Sequence, residues 1–567
     1  MRRFGAALAV LLFAGLVVAA VEPPAPAPVP GPISASKLTN AEAVRRKLGL
    51  YANYPSVPTI GRVKVAVLDS GFDRIDGKRP YLPKSAVLVE HYDPEFIKKH
   101  RLGEPDFQKS FVPGEAHGRV MAQIVWAASG SSPFGPQFYL LNANGPTLFR
   151  RAVRYAIEQK VDVILFSGTF EGAGNYDGRG PINAAVDEAV AAGIIWINAA
   201  GNSGGMVHNG PVTPGPDGYL KLRSGTDATT LRFTNRLDEQ PVTVTLTWND
   251  YKETEDAGTD KDLDLVVEDW LGRVVGESKL KQVPAGQAAG PGETRNPRER
   301  IAFAELPANA AGQEYRIRVK AVSQNFGPLD RIRILVESGR PAPITDPDTG
   351  KIVIPVEFLD AVPRSEIYPP ADHAGVLAVG DSLLQSAVGP TADGRLKPDV
   401  VLADSIARFS NGDESIGSSN AAAYFAGVVA VLRATEPGLT TGHLREWVRQ
   451  LDRRKNATDA TYRTAVERVV PEPVPLSPNQ ERALRYAGIA LEQKKRNGEQ
   501  KPEILVSNPG GTAVVTPPSR VADTRVVPAA VKTVAPTGLE PLRESLAHAS
   551  WTTPTPKELA AIMKVSQ

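Results

Sequence analysis

Between residues 62 and about 204 the chain alternates near-continuous apolar runs with segments of helical period. RVKVAVL (62–68), QFYLLNA (137–143), VDVILFSG (161–168) and IIWINAAG (194–201) read as strands buried on both faces. RVMAQIVWAAS (119–129), RRAVRYAIEQK (150–160) and INAAVDEAVAAG (182–193) return apolar residues every three or four positions and read as helices. Strands of this kind separated by helices predict a doubly wound, mostly parallel α/β sheet. Between residues 217 and 337 the period falls to two. TLRFT (230–234), PVTVTLTW (241–248), DLDLVVED (262–269), RVVGES (273–278), RIAFAEL (300–306), EYRIRVKAV (314–322) and RIRILVE (331–337), split by Gly, Pro and Asp, predict an antiparallel β-sandwich. The α/β pattern resumes with GVLAVG (375–380) and a long helix from about 419 to 434, so the sandwich is an insertion.

The ends of the chain have a different character. Two arginines, an apolar run over 6–21 and small residues give the layout of a signal peptide over 1–21, followed by a proline-rich linker over 22–38. The apolar run is shorter than the ~20 residues a bilayer span needs, so no stable membrane insertion is expected after cleavage, and the protein is expected to be secreted or periplasmic. The α/β domain is assigned to 39–216 and 341–455, with the insertion at 217–340. Residues 456–567 read as one helical stretch (479–496), a largely disordered proline-rich tail and a short helix around 556–564.

Composition narrows the chemistry. With 65 basic against 63 acidic residues, no field is strong enough to imply nucleic acid or anionic lipid. The absence of cysteine excludes a thiol nucleophile, a thiolate metal site and disulfide reinforcement.

Reactive groups in open α/β sheets gather at the carboxyl ends of strands. There VAVLDSGFD places Asp69, EAHGRVMA places His117 at a helix start, NAAGNSGG places Asn202 past a strand, and GSSNAAAYFAG places Ser419 at the mouth of a helix. A serine hydroxyl needs an imidazole to take its proton and a carboxylate to hold that imidazole in the right tautomer. Asp69, His117 and Ser419 supply one of each. The Asn202 amide and the Ser419 N–H would donate to the oxyanion of a tetrahedral intermediate. His91, His100, His208, His373, His443 and His548 lack comparable surroundings and are read as structural.

These segments resemble the signature stretches of the subtilisin-like serine peptidases, the subtilases, in the family order Asp, His, Ser. KVDVILFSG resembles the family's substrate-edge strand, AVDEAVAAGIIWINAAGN its helix and oxyanion strand, and YPPADHAGVLAVG with LKPDVVLAD the approach to the nucleophile. The resemblance implies an exported serine endopeptidase acting on protein or peptide substrates through an acyl-enzyme, with Ser167 and Gly168 pairing to substrate and no cofactor required for chemistry. It also implies that the insertion, through DKDLDLVVEDWLGRVV, is jelly-roll-like, and that no separate inhibitory propeptide fits between a cleavage site near Ala20 and Asp69. The sequence departs from the family pattern at Arg119, Val120 and Met121 after His117, and at Ser418, Asn420 and Ala423 around the serine, with Asn420 expected beside the leaving group. A catalytically impaired binding or scaffold protein, acting through the sandwich and tail, is the alternative. Asp260, Asp262 and Asp264 alternate at a strand start, which would present a carboxylate face for a structural calcium ion or form a solvated acidic loop.

Overall fold

The computed structural model describes residues 38–40, 63–72, most of 82–448, and 551–552. The signal-like segment, the linker and nearly all of the C-terminal region read from sequence lie outside the described residues.

The first half of the α/β domain runs β1 (Lys64–Asp69), β2 (Val87–Val89), α1 (Pro94–His100), α2 (His117–Ser129), β3 (Gln137–Asn142), α3 (Pro146–Glu158), β4 (Val163–Phe166), α4 (Pro181–Ala191) and β5 (Ile195–Ala199). The strands are apolar at nearly every interior position because alternate side chains go to opposite faces and both faces are covered. Val65, Val67, Leu140, Val163, Leu165 and Ile197 join one buried cluster, and Ala66, Leu68, Leu141, Ile164, Phe166 and Trp196 join the other. Helices α3 and α4 cover the second face, each starting with a proline after a glycine, where the missing N–H costs nothing. Helix α3 begins four residues before the apolar period shows, at that proline.

The chain then leaves the sheet. Strands β6 (Val207–Pro211), β7 (Leu231–Asn235), β8 (Gln240–Trp248), β9 (Leu263–Glu268), β10 (Val274–Ser278), a small pair β11 (Lys281–Gln282) and β12 (Glu293–Thr294), β13 (Arg298–Leu306), β14 (Tyr315–Ala321), β15 (Arg331–Ser338), a second small pair β16 (Ile344–Thr345) and β17 (Ile352–Val353), and β18 (Val356–Phe358) follow. They form two main antiparallel sheets, ordered β10-β9-β14-β7-β18 and β13-β8-β15-β6. Between the sheets lies a single apolar layer, including Phe233, Leu265 and Ile317 from one and Leu246, Ile301 and Ile334 from the other. The sheets therefore take in β6 and β18, which lie outside 217–340. VHNGP carries no alternating apolar pattern and becomes a strand only because β15 supplies its hydrogen-bonding partner.

Returning, β19 (Val376–Asp381) pairs parallel to β5, β20 (Val400–Leu402) pairs to β19, and β21 (Ala407–Arg408) and β22 (Glu414–Ser415) form a small hairpin before α5 (Ser418–Thr435). A short strand β23 (Trp551–Thr552), from the region read as tail, pairs antiparallel with β20. The complete sheet is ordered β2-β3-β1-β4-β5-β19-β20-β23, parallel except at that edge. Helix α5 is buried nearly all round, packed with α2 on the first face of the sheet. The closeness of these helices depends on Gly427, where a Cβ would stand 2.5 Å from the Ala128 Cβ. Among the described residues no helix is long and apolar enough to cross a membrane.

The insertion is docked on the α/β domain by the outer face of its β13-β8-β15-β6 sheet. Arg333 on β15 is buried with its guanidinium 3.5 Å from the Tyr176 ring centroid and 4.8 Å from that of Tyr368. It donates to the Ile367 carbonyl at 2.8 Å and to Asn209 Oδ1 at 2.8 Å. Tyr176 and Thr247 share a hydroxyl hydrogen bond, and the Asn175 side chain pairs with the backbone of Tyr251 through two 2.8 Å bonds. A desolvated cation on aromatic faces is worth about 2 kcal/mol or more, so Arg333 fixes the docking angle.

Gly427→Val is expected to destabilise the protein by about 1–3 kcal/mol, because α2 and α5 must separate to admit the side chain. Differential scanning calorimetry reads this as a lowered Tm; an unchanged Tm would show that the helices do not meet there.

Candidate active site

The parallel order of β1, β4 and β5 brings the sequence-selected residues to one edge. Leu68 on β1 is in register with Phe166 on β4, and Phe166 with Asn198 on β5. The next residues along, Asp69 and Ser167, therefore end neighbouring strands about 4.8 Å apart. Chain order also reverses beside β1, where the chain passes from β3 on one side to β4 on the other. A crevice at the carboxyl end of such a reversal is the usual ligand position in open α/β sheets.

Asp69 is buried and held from two sides. Its Oδ1 accepts from the Ser70 N–H at 2.8 Å and the Gly71 N–H at 3.3 Å, and its Oδ2 lies 2.7 Å from His117 Nδ1. His117 is the first residue of α2, and the approach of that helix requires Gly118. A Cβ there would meet the Asp69 Cβ at 2.6 Å and the Gly71 carbonyl oxygen at 2.8 Å. Burial alone lowers the imidazole's pKa, but the charge and hydrogen bond of Asp69, with Glu115 adding to them, hold it above the ordinary histidine value. Glu115 is itself raised, by burial first and then by Asp69. Sequence reasoning did not single out Glu115, a polar residue in a loop with no pattern around it.

Ser419 lies in the first turn of α5, beside the end of β4. Its hydroxyl donates to the Ser167 carbonyl at 2.9 Å, and the Ser167 hydroxyl donates back to the Ser419 carbonyl at 3.2 Å. The structure thus joins Asp69 to His117 and Ser419 to Ser167, with no hydrogen bond between Ser419 and His117 among the described residues. The Ser419 N–H belongs to the first helical turn, whose donors no carbonyl of the helix can reach.

Asn202 follows β5 and is exposed. Its Oδ1 accepts from the Ser418 N–H at 3.1 Å and lies 3.0 Å from the Ser418 hydroxyl. With the oxygen so engaged, the amide Nδ2 is the end left to donate. Gly417, at φ 121°, allows this contact, since a Cβ there would stand 3.3 Å from both amide atoms. The Ser418 hydroxyl also accepts from the Gly201 N–H at 3.1 Å, tying the loop after β5 to the start of α5.

Other sequence expectations come out differently. Asn420 does not face a leaving group: it is fully buried, donating to the carbonyls of Ser405 and Ser415 at 2.9 and 2.7 Å. Arg119 points into the core and reaches Gln123 at 3.4 Å. Asp260, Asp262 and Asp264 do not converge into a metal site, and no group of three acidic or imidazole side chains among the described residues does. Asp262 and Asp264 sit two positions apart at the start of one strand, where burial and then the neighbouring carboxylate push Asp262 up to about 6. Of the remaining histidines, His100 pairs with Glu158 at 2.6 Å and His373 with Asp187 at 2.9 Å, both structural contacts.

A cleft of about 330 Å³ opens at this edge. Ser167 and Gly168 line it just past β4, Asn202 from the loop after β5, and Ser418 and Ser419 from α5. The Gly168 carbonyl is occupied, accepting from Asn198 Nδ2 at 3.0 Å. Two carboxylates that the sequence reading passed over also line the cleft, Glu171 from the α/β domain and Glu337 from β15 of the insertion. Nothing in the alternation of β15 distinguishes Glu337 from any other outward residue of the sandwich.

No curated protein sequence matches the chain. Among solved structures, the CspB protease of Clostridium perfringens is 15% identical, covering 72% of this chain and 90% of its own, at a TM-score of 0.42. The MycP3 protease from the type VII (ESX-3) secretion system is 13% identical, covering 74% and 83%, at a TM-score of 0.30. Likeness this distant says nothing of activity. The family match is direct: residues 61–231, which hold the first half of the helix-covered parallel sheet, fit the model of the Subtilase family.

Proposed function

We propose that the protein is an exported serine endopeptidase in which Asp69, His117 and Ser419 form the catalytic triad and Asn202 with the Ser419 N–H forms the oxyanion hole. The observation that carries this reading is the 2.7 Å bond between Asp69 Oδ2 and His117 Nδ1 at the same strand edge as the Ser419 hydroxyl. Asp69, acceptor-only and fixed by two backbone amides, holds the proton on Nδ1 and leaves Nε2 as the base.

The hydrogen bond of Ser419 to the Ser167 carbonyl describes the resting enzyme. An extended substrate adding beside Ser167 and Gly168 presents its own backbone N–H to that carbonyl. The serine hydroxyl, displaced, turns about χ1 towards His117 Nε2, so that docking of substrate and activation of the nucleophile are one event. Ser419 Oγ then attacks the carbonyl carbon as His117 takes its proton. The carbonyl oxygen becomes the oxyanion facing Asn202 Nδ2 and the Ser419 N–H. His117 returns the proton to the leaving amine, and water repeats the sequence on the acyl-enzyme. No metal or organic cofactor is assigned a step.

Ser419→Ala is expected to abolish hydrolysis of a casein-type substrate and labelling by a fluorophosphonate probe, with circular dichroism unchanged. Hydrolysis retained in the purified variant would refute the assignment, and a wild-type chain that neither labels nor hydrolyses would favour the scaffold reading. Asn202→Ala is expected to lower kcat about 100-fold or more with little change in KM; an unchanged kcat would remove the amide from the mechanism. Because His117 must be neutral to act, kcat/KM rises with pH through its pKa. Glu115 raises that pKa, so Glu115→Gln should move the acid limb of the pH profile to lower pH, and a limb displaced upward or not at all would contradict the electrostatic account.

A further inference from the structure

The carbonyl attacked by Ser419 belongs to the residue preceding the scissile bond, so that residue's side chain starts one bond from the position shared by Ser419 Oγ and Asn202. Its room is the cleft these two residues line, and the same cleft is lined by Glu171 and Glu337. The Glu171 carboxylate receives one hydrogen bond from a side chain, from the Thr169 hydroxyl at 2.5 Å. Glu337 is half-buried, and among the described residues its carboxylate has no hydrogen-bond or ion-pair partner. The opposing charge is Arg300 on β13, which is exposed and acts on both carboxylates from beyond ion-pair distance. The other titratable groups that interact with the pair are Tyr176 and Tyr368, both buried and neutral, their rings against Arg333. Once both acids are ionised, two carboxylates facing one distant base leave the cleft with an unmet demand for positive charge, and an unpaired carboxylate taken partly out of water is costly unless a cation completes it.

We propose that Glu171 and Glu337 are the specificity determinants of this cleft, selecting substrates with arginine or lysine immediately before the cleaved bond, and that the insertion is present in part to supply Glu337. This rests on the peptidase reading above. The position of Glu337 is set by the same strand that carries the buried Arg333 four residues earlier, so the docking of the insertion and the charge of the cleft are one structural fact. An arginine guanidinium or lysine ammonium entering between the carboxylates takes the place of the missing counter-charge.

The pair also gives the selection a pH signature. Burial first, and then the charge of Glu171, push Glu337 up to about 8, with Arg300 opposing. Below that value the carboxyl holds its proton and attracts a cation weakly; above it the second negative charge is present. Preference for a basic side chain therefore grows as pH rises through about 8, whereas His117 acts equally on all substrates and cancels from a ratio of two of them.

The test has two arms on the purified full chain. Calorimetric titration above the Glu337 pKa of about 8 compares benzamidine with neutral benzamide for the wild type, Glu337→Gln and Glu171→Gln. Benzamidine is expected to bind at least ~10-fold more tightly than benzamide, with most of that margin lost in either variant, since a hydrogen bond to a charged group is worth roughly 10- to 100-fold. Peptides differing only in Arg or Leu before the cleaved bond then give a ratio of kcat/KM expected to favour Arg, to grow with pH, and to fall in Glu337→Gln. Equal binding of the two probes, or an Arg-to-Leu ratio near one, overturns the proposal. Selective benzamidine binding without hydrolysis of any peptide would instead refute the peptidase reading and leave the cation-binding cleft standing.

Discussion

The site depends on how closely helix α2 approaches the end of strand β1. Asp69 lies at the last position of an apolar strand, where two successive backbone amides fix one carboxylate oxygen and only the other is left for His117. A 2.7 Å bond between the first residue of a helix and the last of a strand is possible because Gly118 lets the helix backbone lie almost against the Asp69 side chain. Any side chain at that position would push the imidazole away from its carboxylate. The position of Ser419 follows the same logic at the neighbouring strand, with Gly417 allowing the start of α5 to lie against Asn202.

Most of this edge could be read from the sequence. Apolar runs that end in Asp69, Ser167 and the loop before Asn202 announce strand ends, and alternation with helical periods announces a parallel sheet, which collects those ends on one side. The order Asp, His, Ser and its context pointed to the subtilases, and the match over residues 61–231 agrees. The rotamer of Ser419 was not legible, because its hydrogen bond to the Ser167 carbonyl depends on distances between two elements 252 residues apart in the chain. Asn420 was misplaced because its position was carried over from the family pattern around the serine, whereas here it ties down the hairpin before α5.

The insertion was legible as a domain but not as a wall of the cleft. Alternation along β15 separates Ile332, Ile334 and Val336, which face the sandwich core, from Arg333, Leu335 and Glu337, which face outward. Whether outward means solvent or another domain is decided by Tyr176 and Tyr368, whose rings enclose Arg333, and no local pattern couples those tyrosines to that arginine. Strand β6 was missed for a comparable reason, its pairing being imposed by a partner more than a hundred residues away.

The place of the insertion in the chain has a consequence for biosynthesis. A ribosome releases Asp69 and His117 early, then some three hundred residues of other structure, and only afterwards the helix bearing Ser419. Until α5 emerges, the apolar face formed by α2 and strands β1, β4 and β5 has no cover, and the first half of the α/β domain is an open sheet rather than a finished fold. Long-range closures of this kind are slow, and an exposed apolar face during the wait favours association with whatever shields it. The nascent chain therefore carries the Asp69–His117 pair without Ser419 until the sandwich has been made, so the Ser419 hydroxyl and the walls of the cleft beside it are completed together.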